Sequence, residues 1–228
     1  MKFSPYNWNY GKNNNSLLTG QKSIKVEFIE IGTKFLRELG EKGIRVSAIV
    51  GSTSYEPSPE DDIDIFLITK KDLLWFVFLK SLIVRKLYRY DRICLSLFMD
   101  EHFSVDYFKR LDDKLIISDA KHAIVIFGQN FYESLLEKIN NRETEPKVLT
   151  NKIKNEKFKI SHIKNLLLNL ISMIVVLPPV LIKGMIASKK LEKSKGDFKI
   201  VYGWRKFYFD SRKYGELRKK VNGTENEL

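Results

Sequence analysis

The chain has a single cysteine, Cys94, and only three histidines, His102, His122 and His162, which lie far apart in sequence. One thiol excludes an internal disulfide and leaves no companion ligands for a zinc site, which fits a reducing compartment. The scattered histidines suggest no shared role. Met1–Tyr10 lacks the apolar core of a secretory signal and has no transit-peptide character, so the expected location is the cytoplasm. No internal repeat is visible.

Acidic residues are scarce in one region only. From Met1 to Pro146 there are 21 Lys and Arg against 21 Asp and Glu; from Lys147 to Lys220 there are 19 against 5, a local net charge of +14 in a chain of net +12. The basic surplus therefore belongs wholly to the C-terminal third. Such asymmetry points to a polyanionic partner, with nucleic acid first, nucleotide phosphates second and an acidic membrane surface third, or else to solvated lysine-rich helix faces.

The pattern of apolar residues divides the chain into a flexible lead-in over residues 1–20, a mixed domain over 21–146 and a basic helical region over 147–228. The lead-in contains Asn13, Asn14 and Asn15 and offers little to bury. Ile24, Phe28, Ile31, Phe35 and Leu39 fall on one face of a helix that Gly40 and Gly43 end. Strands are expected at Ile44–Val50, Ile63–Ile68 and Ile93–Met99, with an apolar helix capped by Asp72 running towards Leu87. A helix near Ser118–His122, a short strand Ala123–Phe127 and a helix Phe131–Ile139 follow. Asn140–Thr150, with Pro146, reads as the boundary.

Beyond it, helices are expected at Ser161–Leu177 and Val180–Lys193, separated by Pro178 and Pro179. Leu166–Ala187 carries only Lys183 as a charge, which raises a membrane reading. Asn165, Asn169 and Ser172 nevertheless make a polar stripe, and each half is too short to cross a bilayer alone. Core helices, without membrane contact, are the expectation. Trp204, Tyr208 and Tyr214, mixed with Arg205, Arg212 and Arg218, suit core packing first and base stacking second.

The segment that carries chemistry runs from Val50 to Ile65. A strand enters Gly51-Ser52, a loop with Thr53, Ser54, Pro57 and Pro59 intervenes, and Asp62-Ile63-Asp64 opens the next strand. Alternation along a strand sends Asp62 and Asp64 to one face while Ile63 and Ile65 enter the core. Two carboxylates held side by side repel, and a hard cation such as Mg²⁺ relieves that repulsion, taking substrate phosphates and water as its remaining ligands. Gly51 permits close backbone approach to a phosphate, and Ser52 offers an N–H and a hydroxyl.

In this arrangement, an apolar residue, Gly-Ser, about a dozen residues and then Asp-x-Asp between apolar residues, the segment resembles the signature of the DNA polymerase β-like nucleotidyltransferase superfamily. The resemblance covers about residues 21–127, and the run Arg92–Phe98 with Gly128 and Tyr132 is similar to a microbial branch of it. It implies an α+β fold, a mixed sheet flanked by helices. It also implies Mg²⁺ at Asp62 and Asp64, triphosphate binding at Gly51, Ser52, Thr53 and Ser54, and transfer of a nucleoside monophosphate from a nucleoside triphosphate to a hydroxyl acceptor through a two-metal clamp.

Two departures stand out. The loop carries Tyr55, Glu56 and two prolines where active members carry a glycine or a basic residue. The third carboxylate, which the superfamily takes from a neighbouring strand, is missing from Ile93–Met99, whose polar face is Cys94 and Ser96. Asp100 shares their parity and is the candidate catalytic acid, with Asp106 and Asp91 behind it. A nucleotide or nucleic-acid binding protein of the same fold without transfer activity is the alternative.

Overall fold

The computed structural model describes residues 15–111, 113–140, 160–192 and 198–211. The first helix, α1 (Asn15–Leu39), begins within the expected lead-in, so Asn15–Gly20 is helical. It leads into β1 (Ile44–Val50), a single 3-10 turn (Gly51–Ser54), β2 (Ile63–Thr69), α2 (Leu74–Leu87) and β3 (Ile93–Asp100). Then come α3 (Glu101–Arg110), α4 (Lys114–His122), β4 (Ile124–Phe127), α5 (Gln129–Asn140), α6 (Ile160–Glu192), β5 (Phe198–Tyr202) and β6 (Lys206–Ser211). The class is α+β, as expected. The boundary at 140–150 and the C-terminal residues Arg212, Tyr214 and Arg218 fall mainly or wholly outside the described residues.

Six strands form one sheet in the order β4-β1-β2-β3-β6-β5, antiparallel except for the β2–β3 pair. That parallel pair requires a crossover, which α2 supplies. Both faces of the sheet are covered, so its central strands are apolar on both sides. Ile63, Ile65, Leu67, Leu95 and Phe98 pack in one cluster with α1, α2, Val176 of α6 and Phe207 of β6. Val46, Ala48, Phe66, Ile68 and Met99 pack in a second with Phe108, Leu111, Tyr132 and Leu135.

The C-terminal region is not helical throughout. Residues 198–211 make a hairpin that rejoins the sheet, with Leu97, Phe98 and Met99 of β3 paired to Tyr208, Phe207 and Lys206. Phe207 is fully buried, and Ile200 and Phe209 pack beside it. Alternation in Lys-Phe-Tyr-Phe-Asp is a strand period of two, which corrects the expectation of a helical region over 147–228 at this segment. Trp204 at the hairpin tip donates its indole N–H to Asp72.

Asp72 does not cap α2. It adopts φ +58°, and the helix starts after Leu73 with no side-chain cap of its own. The cap comes instead from α6: Asn169 Oδ1, fully buried, accepts from the backbone N–H groups of Trp75 at 2.7 Å and Phe76 at 3.3 Å. These are the N–H groups a helix leaves unpaired at its start.

Pro178 and Pro179 do not end the helix either, since α6 is continuous from Ile160 to Glu192. Both prolines lie on its exposed side.

Candidate functional site

The 3-10 turn at Gly51–Ser54 follows from one backbone requirement. Gly51 has φ +69°, a conformation that costs a residue with Cβ about 1 kcal/mol or more. The chain turns there off the end of β1, and Ser54 Oγ closes the turn by donating to Gly51 O at 2.7 Å. From α1, Lys25 Nζ donates to the carbonyls of Ser54 at 3.1 Å and Tyr55 at 2.8 Å. A cation thus clamps the last carbonyl of the turn and the one that follows it.

Val50, the residue before the turn, pairs antiparallel with Asp64. The turn and the aspartates are therefore neighbours at one end of the β1–β2 pair. Ile63 and Ile65 are fully buried in the first cluster, and Asp62 and Asp64 take the opposite parity, each partly exposed. Burial is the largest influence on Asp62 and raises its carboxyl above the ordinary value; Arg85 opposes that rise, Asp61 adds to it and Arg92 opposes it. Arg92 is held in place by Pro59 O at 2.8 Å and by the Phe28 ring, 5.2 Å from its guanidinium carbon.

On β3, Cys94 is the residue paired with Asp64. Its thiol donates to the Asp64 carboxylate, and burial, followed by the negative charges of Asp64 and Asp62, pushes the thiol well above its usual range. It is a protonated donor at neutral pH and does not supply a third anion.

Asp100 is not the third carboxylate. The β2–β3 register slips between Ile65 and Phe66, where Leu95 is followed by Leu97 as the next partner and Ser96 is left over. This bulge reverses the parity of everything beyond it, which sends Leu97 and Met99 to the face of Phe66 and Ile68 and turns Asp100 to the other face. Asp100 pairs with Thr69, five residues along β2 from Asp64, about 16 Å away at the usual strand rise. There it caps α3, accepting from Phe103 N at 2.7 Å, and its other oxygen lies 3.5 Å from Arg205 Nε. Burial raises its carboxyl, with the Phe103 N–H and Arg205 opposing. Asp106 and Asp91 are exposed, on α3 and in the α2–β3 turn respectively, and neither lies on the strand beside Asp64.

Ser52, Thr53 and Ser54 are all buried, and Thr53 Oγ1 has no hydrogen-bond partner among the described residues. The loop after the turn is tied down by α4: Tyr55 Oη donates to Asp119 Oδ1 at 2.9 Å and lies 3.3 Å from Ser118 Oγ, and its ring lies 4.5 Å from that of His122. Lys25, Arg85, Asp119 and His122 gave no signal in the sequence, because only the tertiary fold brings α1, α2 and α4 to this end of the sheet.

Two partly exposed carboxylates fit one Mg²⁺, which binds through one or two carboxylates plus phosphates and water. Among the described residues, no three His, Cys, Asp or Glu side chains gather closely enough to hold a metal by themselves. A groove of about 430 Å³ lined by Arg45, Lys70, Phe127, Gly128 and Phe131 lies at the opposite end of β1, away from these aspartates. No family model, curated protein or solved structure matches the chain.

Proposed function

We propose that the chain binds a nucleoside triphosphate with Mg²⁺ between the Gly51–Ser54 turn and the Asp62–Asp64 pair, as a nucleotidyltransferase-like protein. The reaction such a site serves is transfer of a nucleoside monophosphate from the triphosphate to a hydroxyl acceptor. The observation that carries this reading is the pairing of Val50 with Asp64, which puts a glycine turn and two same-face carboxylates at one end of two antiparallel strands.

Asp62 and Asp64 would hold the ion, which when bound supplies charge neutralisation at the phosphates and orients them. Gly51 keeps the turn's backbone free of a side chain, and Lys25 fixes its carbonyl end. Arg85 and Arg92 keep positive charge beside Asp62, which favours its ionised form.

One observation favours a second reading, nucleotide binding without transfer. The strand position paired with Asp64 carries a thiol, and Asp100 faces the other way beyond the bulge. No carboxylate at that position is available to take the proton of an attacking hydroxyl. The basic C-terminal third remains a candidate contact for nucleic acid, as a sequence-independent attraction for phosphates.

The two readings separate in one experiment. The chain is mixed with labelled nucleoside triphosphates, Mg²⁺ and candidate acceptors, and both bound nucleotide and released pyrophosphate are measured. Mg²⁺-dependent binding that Asp62→Ala and Asp64→Ala abolish supports the site; pyrophosphate release in addition supports transfer. Binding that these variants leave intact refutes both.

A further inference from the structure

The polarity of α6 is reversed relative to an ordinary surface helix. Its polar residues Asn169 and Ser172 are buried against the fold, with Val176 beside them. Ile163, Leu166, Leu167, Leu170, Ile171, Ile174, Val175 and Ile182 are exposed, Ile174 at 65% and Ile171 at 58%. These recur at spacings of three and four, so they form one stripe along the helix. Ile163–Ile182 is long and apolar enough to cross a membrane, with a mean hydropathy of 2.2 and only 17% of it buried. An apolar face of this extent on a folded protein marks a contact surface.

Charge identifies the partner. Asn165–Ile182 contains no ionisable residue, and lysines bracket it, with Lys157, Lys159 and Lys164 before and Lys183, Lys189 and Lys190 after. The one acid in α6 is its last residue, Glu192. Pairing this face with a second copy would set lysines against lysines in either orientation, with almost no acid to offset them. A nucleic acid satisfies the lysines and leaves the apolar stripe in water. An anionic lipid surface satisfies both, taking the stripe below the headgroups and the lysines among them.

We infer that α6 seats the protein in the plane of an anionic lipid bilayer, with the Ile163–Ile182 stripe as its embedded face. The helix lies along the surface and does not cross it. Crossing would pull Asn169 from the Trp75 and Phe76 N–H groups and Val176 from the first cluster.

The test is flotation of the purified full chain with vesicles of phosphatidylcholine alone, or of equal parts phosphatidylcholine and phosphatidylglycerol. The protein is expected to float with the anionic vesicles and to be released by alkaline carbonate. Ile171→Glu with Ile174→Glu should reduce the floated fraction by at least about tenfold while its thermal melt stays that of the parent. The milder pair Ile171→Ser and Ile174→Ser should give an intermediate loss if the glutamates disturb folding. Equal flotation of parent and variants, equal flotation on both vesicle types, or retention after alkaline carbonate each overturns the inference. So does a stable dimer by light scattering that floats on neither vesicle and that the variants dissociate.

Discussion

The thiol of Cys94 donates a hydrogen bond to the carboxylate of Asp64 across the parallel β2–β3 pair. A neutral donor there steadies Asp64 without adding charge. Cys94→Asp puts a third carboxylate at that position with little change in volume. Without Mg²⁺ it should destabilise the fold by about 2 to 4 kcal/mol, since a buried anion meets two others. With Mg²⁺ it should bind the ion about tenfold or more tightly than the parent, and most of the lost stability should return. Thermal melts with and without Mg²⁺, together with calorimetric titration, read both effects.

Asp100 caps α3, and two substitutions separate that role from one in the proposed site. Asp100→Asn keeps an oxygen to accept from Phe103 N and should leave Mg²⁺-dependent nucleotide binding unchanged. Asp100→Ala removes the cap of α3 and the partner of Arg205, and should cost about 1 to 2 kcal/mol in urea denaturation. A loss of nucleotide binding in a folded Asp100→Asn would place this residue back in the site.

In the proposed site, the carboxyl of Asp62 would set the acid limit of Mg²⁺ binding. Its carboxyl titrates above the ordinary value of 3.8, chiefly because it is partly buried, so Mg²⁺ affinity should fall with decreasing pH at a higher pH than for an exposed carboxylate. The folded state holds this proton more tightly than the unfolded chain does. Its effect on stability is therefore absent below about pH 3.8 and unfavourable once the pH passes the raised folded value. Asp62→Asn should accordingly raise the melting temperature at pH 7 in metal-free buffer and make no difference at the most acid pH. Saturating Mg²⁺ should reverse the order, stabilising the parent alone.

Asn169 caps the start of α2, accepting from Trp75 N, 94 residues earlier in the chain. Asn169→Ala leaves the Trp75 and Phe76 N–H groups buried without an acceptor and should cost about 1 to 3 kcal/mol. Asn169→Asp restores the acceptor and should recover a large part of that loss. Hydrogen exchange of the Trp75 and Phe76 amides reports the same contact directly, with faster exchange in Asn169→Ala only.

Local patterns were legible where one side of an element decides its fate. The face of α1, the first three strands and the Asp62–Ile63–Asp64 alternation follow from spacing alone. The register slip at Ser96 was not legible, because a bulge leaves no compositional trace, and it alone reverses the direction of Asp100. The cap of α2 was misplaced for a related reason: Asp72 is the nearest capping residue in sequence, and the residue that does the work comes from α6. Pro178 and Pro179 read as a helix end, whereas packing of α6 against α2 and β5 carries the helix through them. The hairpin at 198–211 was hidden within a basic region by Lys199, Arg205 and Lys206, although Phe207 and Phe209 keep a strand's alternation.

The pairing of β6 with β3 has a consequence for biosynthesis. The strand flanking β3 on that side, and the aromatic plug Phe207, lie in the last described segment and leave the ribosome after the other described strands of the sheet. Until then β3 has an open edge beside a hollow bordered by Trp75, Phe78 and Phe98. The nascent chain therefore passes through a long interval in which this half of the sheet is competent to pair with the wrong neighbour. A shortened product lacking the hairpin would remain in that aggregation-prone condition permanently.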